Sequence, residues 1–225
     1  MKKKSFFITL SVATSVVVCL VLVLLFRGKD HASVAEDNVN ILSVHVEDDD
    51  VVFMGERRFA ACDWSSMLEN DKIKVLAFDG NTIRADISRI DKLFGVSRPS
   101  RIFLMYGEEE LMRGEIVGDI AEEYEELVKN LQEHFPYCEI VIFSVPPFSM
   151  DRNDRKNTAD VAERVSKLNI FVKMISMRYN YTFADVARTF STEDGILNDK
   201  FSTDGFELSD LGNMVLKSWI KDYMN

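Results

Sequence analysis

Five short apolar runs, at residues 51–54, 73–78, 101–106, 139–145 and 181–186, most limit what this chain can fold into. Each is four to eight residues long and rich in Val, Ile and Phe, the pattern of strands buried on both faces of a parallel sheet. Helical spacing fills the intervals. Ile116, Ile120, Tyr124, Leu127 and Leu131 recur at three and four residues, as do Val161, Val165, Leu168, Val172 and Ile175. Leu208, Leu211, Val215 and Trp219 mark a last helix. Strand–helix alternation implies a three-layer α/β/α domain around a five-stranded, mainly parallel sheet. Such sheets carry their sites at the carboxyl ends of the strands. The residues to inspect therefore follow each run: Gly55-Glu56-Arg57, Asp79-Gly80-Asn81, residues 107–110, Pro146-Pro147-Phe148, and the loop 204–209 before the last helix.

Residues 6–26 form a run of 21 residues without a charge. As a helix it would rise about 30 Å, the thickness of a bilayer's hydrocarbon core. Lys2, Lys3, Lys4 and the terminal amine precede it, and Arg27 and Lys29 follow it. The positive-inside rule then leaves the N-terminus in the cytoplasm and residues 31–225 outside. The expected protein is a single-pass cell-membrane protein with an extracytoplasmic C-terminal domain. Its parts are a cytoplasmic tip and anchor (1–30), a polar stalk (31–48) and the α/β domain (49–225). A cleaved signal peptide is the alternative, with Ser33-Val34-Ala35 as a small-residue cleavage site. The apolar run exceeds the length of a signal core, and charges separate it from that site.

Net charge is −10 overall and −14 over residues 31–225, where 22 basic side chains face 36 acidic ones. That field argues against nucleic acid as a partner. Cys62, assigned to a helix, and Cys138, opening a strand, are expected to be free thiols, although an extracytoplasmic location would allow them to pair. Cys19 follows Val18, where lipoprotein processing needs a small residue.

In order and spacing, the segments at the strand ends resemble the SGNH/GDSL hydrolases, from about Val51 to Met224. Residues 52–57, ending in Gly55-Glu56-Arg57, are similar to the family's first block, a strand ending in Gly-Asp-Ser. Residues 77–82 resemble the second block, which opens with an oxyanion-hole glycine. Residues 103–110 resemble the third, a strand ending in Gly-x-Asn-Asp, and residues 202–209 the fifth, Asp-Gly-x-His-Leu. Pro146-Pro147, Gly212 and Trp219 extend the likeness.

The resemblance implies acyl-ester chemistry by a Ser nucleophile, a His base, an Asp that orients the His, and an oxyanion hole. Carried over residue by residue, the set fails. Arg57 stands at the Ser position, Ala77 at the oxyanion Gly, Glu109 at the Asn and Glu207 at the His; only Asp204 matches. An arginine cannot be deprotonated to attack a carbonyl, and a carboxylate cannot donate to an oxyanion. The three histidines, His31, His45 and His134, fall outside the strand-end segments. Arg57 is instead expected to meet Glu109, Asp204 and Glu207, either as a salt-bridge cluster closing the old site or as the binding set for an envelope sugar or peptide. No cofactor is expected, and Glu108-Glu109-Glu110 reads more simply as a solvated turn than as a metal site. Two functions stay open. One is a catalytically inactive binding or assembly module of the cell envelope, with an envelope glycan or protein as partner. The other is an esterase or O-acyl transfer protein acting on envelope glycans through a non-standard catalytic set.

Overall fold

The structure is a computed structural model, and it describes residues 43–149, 155–202 and 204–224. The apolar run 6–26 and most of the expected stalk lie outside the described residues. Among the described residues no helix is long and apolar enough to cross a membrane.

Strands β1 (Val51–Gly55), β2 (Ile73–Ala77), β3 (Arg101–Met105), β4 (Glu139–Phe143) and β5 (Thr182–Ala184) form one sheet in the order β2-β1-β3-β4-β5. Every pairing is parallel, where a mainly parallel sheet was expected. The chain steps outward from β1 to β2, then returns across β1 to β3. That reversal puts the topological switch point between β1 and β3.

The helices are α1 (Arg57–Ala60), α2 (Trp64–Leu68), α3 (Ile83–Ile87), α4 (Ile90–Phe94), α5 (Glu108–Met112), α6 (Val117–His134), α7 (Arg155–Arg178), α8 (Val186–Phe190) and α9 (Asp210–Asp222). Alternate strand residues point to opposite faces of the sheet. Phe53, Phe103, Val141, Phe143 and Ala184 cover one face, packed with Phe59, Trp64, Val186, Phe190, Leu216 and Ile220 from α1, α2, α8 and α9. Four of these rings, Phe53, Phe59, Phe103 and Phe143, stack edge-on or tilted with centroids 5.1–5.8 Å apart. The opposite set, Val52, Met54, Ile102, Leu104, Ile140 and Ile142, is equally buried, on the side of α6 and α7. This double coverage explains why the runs show no polar alternation.

Three details differ from the sequence reading. Cys62 sits in the turn between α1 and α2, because Asp63 caps a new helix through the Ser66 N–H rather than continuing the first. The fifth run divides, with Ala184 ending β5 and Val186 opening α8. In α9 the buried residues are Gly212, Leu216 and Ile220, whereas Leu211 is 50% exposed. The last residues of the expected stalk also pack on the domain: Val46 is buried, and its carbonyl accepts from Ser97 Oγ. Both described cysteines, Cys62 and Cys138, are free, and burial pushes the Cys138 thiol up to about 12.

Candidate functional site

Register fixes the site. Gly55 is paired with both Ala77 and Met105, so the carboxyl ends of β1, β2 and β3 stand side by side. Arg57, Asp79 and Gly107 each lie two residues beyond those ends. No side chain fits at Gly55, where an added Cβ would stand 2.6 Å from the Met105 carbonyl oxygen. β1 and β3 therefore run close together, and Glu56 and Arg57 emerge over the loop after β3.

The Glu56 carboxylate is buried and accepts the backbone N–H groups of Gly107 (3.0 Å), Glu108 (2.9 Å) and Glu109 (3.3 Å). It thereby ties the first loop to the third. Burial, reinforced by the charges of Glu110 and Glu108, holds its pKa well above the ordinary carboxylate range. Glu110 is buried too, accepting the Ile83 N–H at 2.9 Å, and desolvation raises its pKa. A second polar knot lies behind β1. Asp86 accepts from Arg89 (2.6 Å), Asn81 (2.8 Å) and the Tyr106 hydroxyl, while Asn81 Nδ2 also donates to the Gly55 carbonyl at 2.8 Å.

Arg57 occupies the centre. Nη1 donates to Glu207 Oε1 at 2.7 Å, Nη2 meets Asp79 Oδ1 at 2.5 Å, and Nε faces Glu108 Oε1 at 3.3 Å. Its guanidinium lies 4.1 Å from the centre of the Phe206 ring, within cation–π range. Each of its three nitrogens is thus directed at a carboxylate from a different loop. The Arg57 side chain is only 14% exposed, while Asp79 and Glu207 are about half in solvent. Arg58 backs it: Nε donates to Glu108 Oε2 at 2.9 Å, and both side chains are buried. Burial raises the Glu108 pKa, with Arg58 and then Arg57 opposing the rise.

The loop before α9 delivers Glu207. Asp204 Oδ1 accepts the backbone N–H groups of Phe206 (2.8 Å) and Glu207 (2.9 Å) and the Ser202 hydroxyl (3.0 Å). Those bonds hold the Asp204 carboxyl below its usual range. Ser149 N–H donates to the Gly205 carbonyl at 2.8 Å, and Phe148 packs edge-on against Phe206, so the loop after β4 braces this turn.

The residues singled out in the sequence thus separate. Arg57 and Glu207 come together. Asp204 does not reach Arg57 but shapes the turn that carries Glu207. Glu109 turns away to Arg113, four residues on in its own helix, at 2.9 Å, and the carboxylate on Arg57 is its neighbour Glu108. Ala77 is the last residue of β2, and Asp79 supplies that loop's contact. Glu56, Arg58, Asp79, Glu108 and Phe206 complete the site, at positions to which the family resemblance assigns no role. Glu108 and Asp79 sit in the inspected loops, but only a one-residue difference in how a loop leaves its strand decides which side chain faces inward. Of the histidines among the described residues, His45 precedes β1 and His134 ends α6, where it meets Asp91. Both are at the amino ends of the strands, opposite the site.

An α/β/α domain with its site in the loops at the carboxyl ends of a parallel sheet is a doubly wound fold, an architecture that carries many chemistries. Residues 52–215 match the GDSL-like Lipase/Acylhydrolase family, and the chain belongs to it. Among solved structures, it is similar to a chain from Streptococcus pneumonia described as a platelet activating factor. The two share 20% identity over 94% of this chain and 99% of that one, with a TM-score of 0.72. A GDSL-like lipase from Bacteroides thetaiotaomicron is 15% identical over 78% of this chain and 87% of its own, with a TM-score of 0.67. The OSK domain of Drosophila Oskar is 14% identical over 83% and 95%, with a TM-score of 0.63. At such identities these likenesses establish the fold alone. No curated protein matches the chain in sequence.

Proposed function

We propose that this GDSL-family domain is catalytically inactive and acts at the cell membrane, held there by residues 6–26, as a binding or assembly module of the cell envelope. The observation that carries the inactivity is the Arg57–Glu207 pair at 2.7 Å. By the sequence resemblance, these are the two positions where family chemistry needs a nucleophile and the base that activates it. A guanidinium has no lone pair to offer a carbonyl, and the carboxylate that faces it is engaged in binding it. Asp79, Glu108 and Glu207 add negative charge where an oxyanion would develop, the opposite of what acyl transfer requires. The same contacts join four loops through one side chain, which suits a surface held in a fixed shape. The membrane role rests on the uncharged run of 21 residues and its flanking cations.

Hydrolysis of p-nitrophenyl acetate by the purified full-length chain in neutral detergent tests the reading. The expected rate equals that of buffer with detergent, for wild type and for Arg57→Ala alike. A saturable activity that Glu207→Ala or Arg57→Ala abolishes would support the esterase reading instead, with a non-standard catalytic set.

A further inference from the structure

α7 carries apolar side chains on two faces, and the described residues cover only one. Val161, Val165, Leu168, Val172 and Ile175 are buried against the sheet and α6. On the outer side Ile170 is 58% exposed, Phe171 41%, Met174 51% and Met177 71%. Ile170, Met174 and Met177 follow one another at four and three residues, so they form a continuous stripe. A surface helix ordinarily turns charged residues to water, as α7 does one turn earlier on the same face with the exposed Glu163–Lys167 pair, so the apolar stretch over residues 170–177 is the part left without cover.

The flanks of the stripe differ in charge. On one side lies α6, which meets α7 through the Arg178–Glu125 ion pair and presents exposed Glu122 and Glu126. On the other side Lys173 lies over the Phe183 ring of β5 at 5.9 Å. Together with Arg188 and Asp185 it borders a cleft of about 350 Å³ between α7 and α8. Neither Lys173 nor Arg188 forms an ion pair among the described residues.

We infer that this face of α7 is the contact surface of a homodimer in which the two α7 helices pack side by side and parallel. A two-fold axis running along the helix direction sets the acidic α6 flank of each copy against the Lys173–Arg188 flank of the other. An axis across the helices would instead oppose acid to acid. Phe171, on the α6 side of the stripe, then faces the second copy's cleft. The stripe alone is too small for a stable contact, which needs about 800 Å² from each partner. The α6 and α8 flanks supply the remainder. An anionic lipid surface is the poorer occupant, because Glu122, Glu125 and Glu126 would meet it alongside the cations.

Sedimentation velocity of the full-length chain in neutral detergent, at micromolar concentrations, tests the dimer. Wild type is expected to sediment as a dimer and Met174→Glu as a folded monomer with an unchanged far-ultraviolet circular dichroism spectrum. Lys173→Glu should raise the dimer Kd about tenfold or more, and adding Glu122→Lys to it should recover most of that loss. A monomeric wild type would overturn the proposal. So would a dimer that survives Met174→Glu, since the contact would then lie elsewhere, residues 6–26 included. A double variant no tighter than Lys173→Glu would refute the parallel arrangement.

Discussion

Arg57 is held by groups that differ in worth. Asp79 and Glu207 are about half exposed, so water and salt screen their attraction to it, and each pair contributes about 0–1 kcal/mol. Glu108 is different, because its carboxyl group is buried between Arg57 and Arg58. Removing one cation leaves a buried charge short of compensation. Arg57→Ala should therefore destabilise the domain by about 1–3 kcal/mol at pH 7.5, an order-of-magnitude figure set mainly by Glu108. Without Arg57 the Glu108 pKa rises further, so its proton is bound more tightly in the folded state. The loss should then be smaller at pH 5 than at pH 7.5. Thermal melts of both proteins at the two pH values check this, and equal losses at both would count against the assignment. The Arg57–Glu207 meeting was legible from sequence because it needs only the family's order of strand ends. The partner Glu108 was not, since a resemblance aligned on Gly107 favours Glu109, and side-chain direction in the first turn of α5 decides between them.

At the scale of elements, hydropathy marked the central strands β1, β3 and β4 because both faces of the sheet are buried there. The edge strands β2 and β5 carry a half-buried Lys74 and an exposed Thr182 and showed as shorter or broken runs. It failed where a contact involves no side chain. The buried stripe of α9 is offset by one residue from the expected one because Gly212 lies against the neighbouring loop. An added Cβ there would stand 2.6 Å from the Phe201 carbonyl oxygen, and glycine is silent in any apolar pattern. Gly107 matters in the same way. It adopts φ +115, and a Cβ would stand 2.4 Å from Leu168 Cδ2 on α7. Gly107→Ala should cost about 1–3 kcal/mol from backbone strain, a fall of several degrees in melting temperature. It should also loosen the N–H groups that Glu56 accepts. By contrast Gly114→Ala, just past the end of α5 with φ +80 and nothing within 4 Å, should cost only about 1 kcal/mol. Melting temperatures of the two variants measure the difference, and a Gly107→Ala variant no worse than Gly114→Ala would contradict it.

Across the described residues as a whole, several carboxyl groups are kept away from water. Glu56, Glu108, Glu110 and Asp86 all have pKa values raised above the usual range, with desolvation the largest cause in each. Between the ordinary carboxylate pKa and these raised values, the folded state binds more protons than the unfolded one. Stability should therefore be greatest in mild acid and fall as pH rises through the folded-state values. Asp204, whose pKa is lowered, opposes this only below the ordinary aspartate range. Glu110→Gln keeps an acceptor for the Ile83 N–H and removes the charge beside Glu56. It should raise the melting temperature at pH 7.5, by about 2–4 °C per kcal/mol, and flatten the decline. A series of melts from pH 5 to pH 8 reads both effects, and an optimum at alkaline pH would contradict them.

The N-terminal part of the chain has its own check. Intact mass of the protein isolated from membranes should include residues 1–27, whereas a chain beginning near Glu36 would make residues 6–26 a cleaved signal. The central claim is that an ion pair stands where a nucleophile and its base would be. It is tested most directly by mixing the full-length chain with excess fluorophosphonate, which bonds covalently to activated serine, and measuring intact mass. The account predicts an unmodified chain under conditions that fully label an active serine esterase. Stoichiometric addition at a single serine would contradict it.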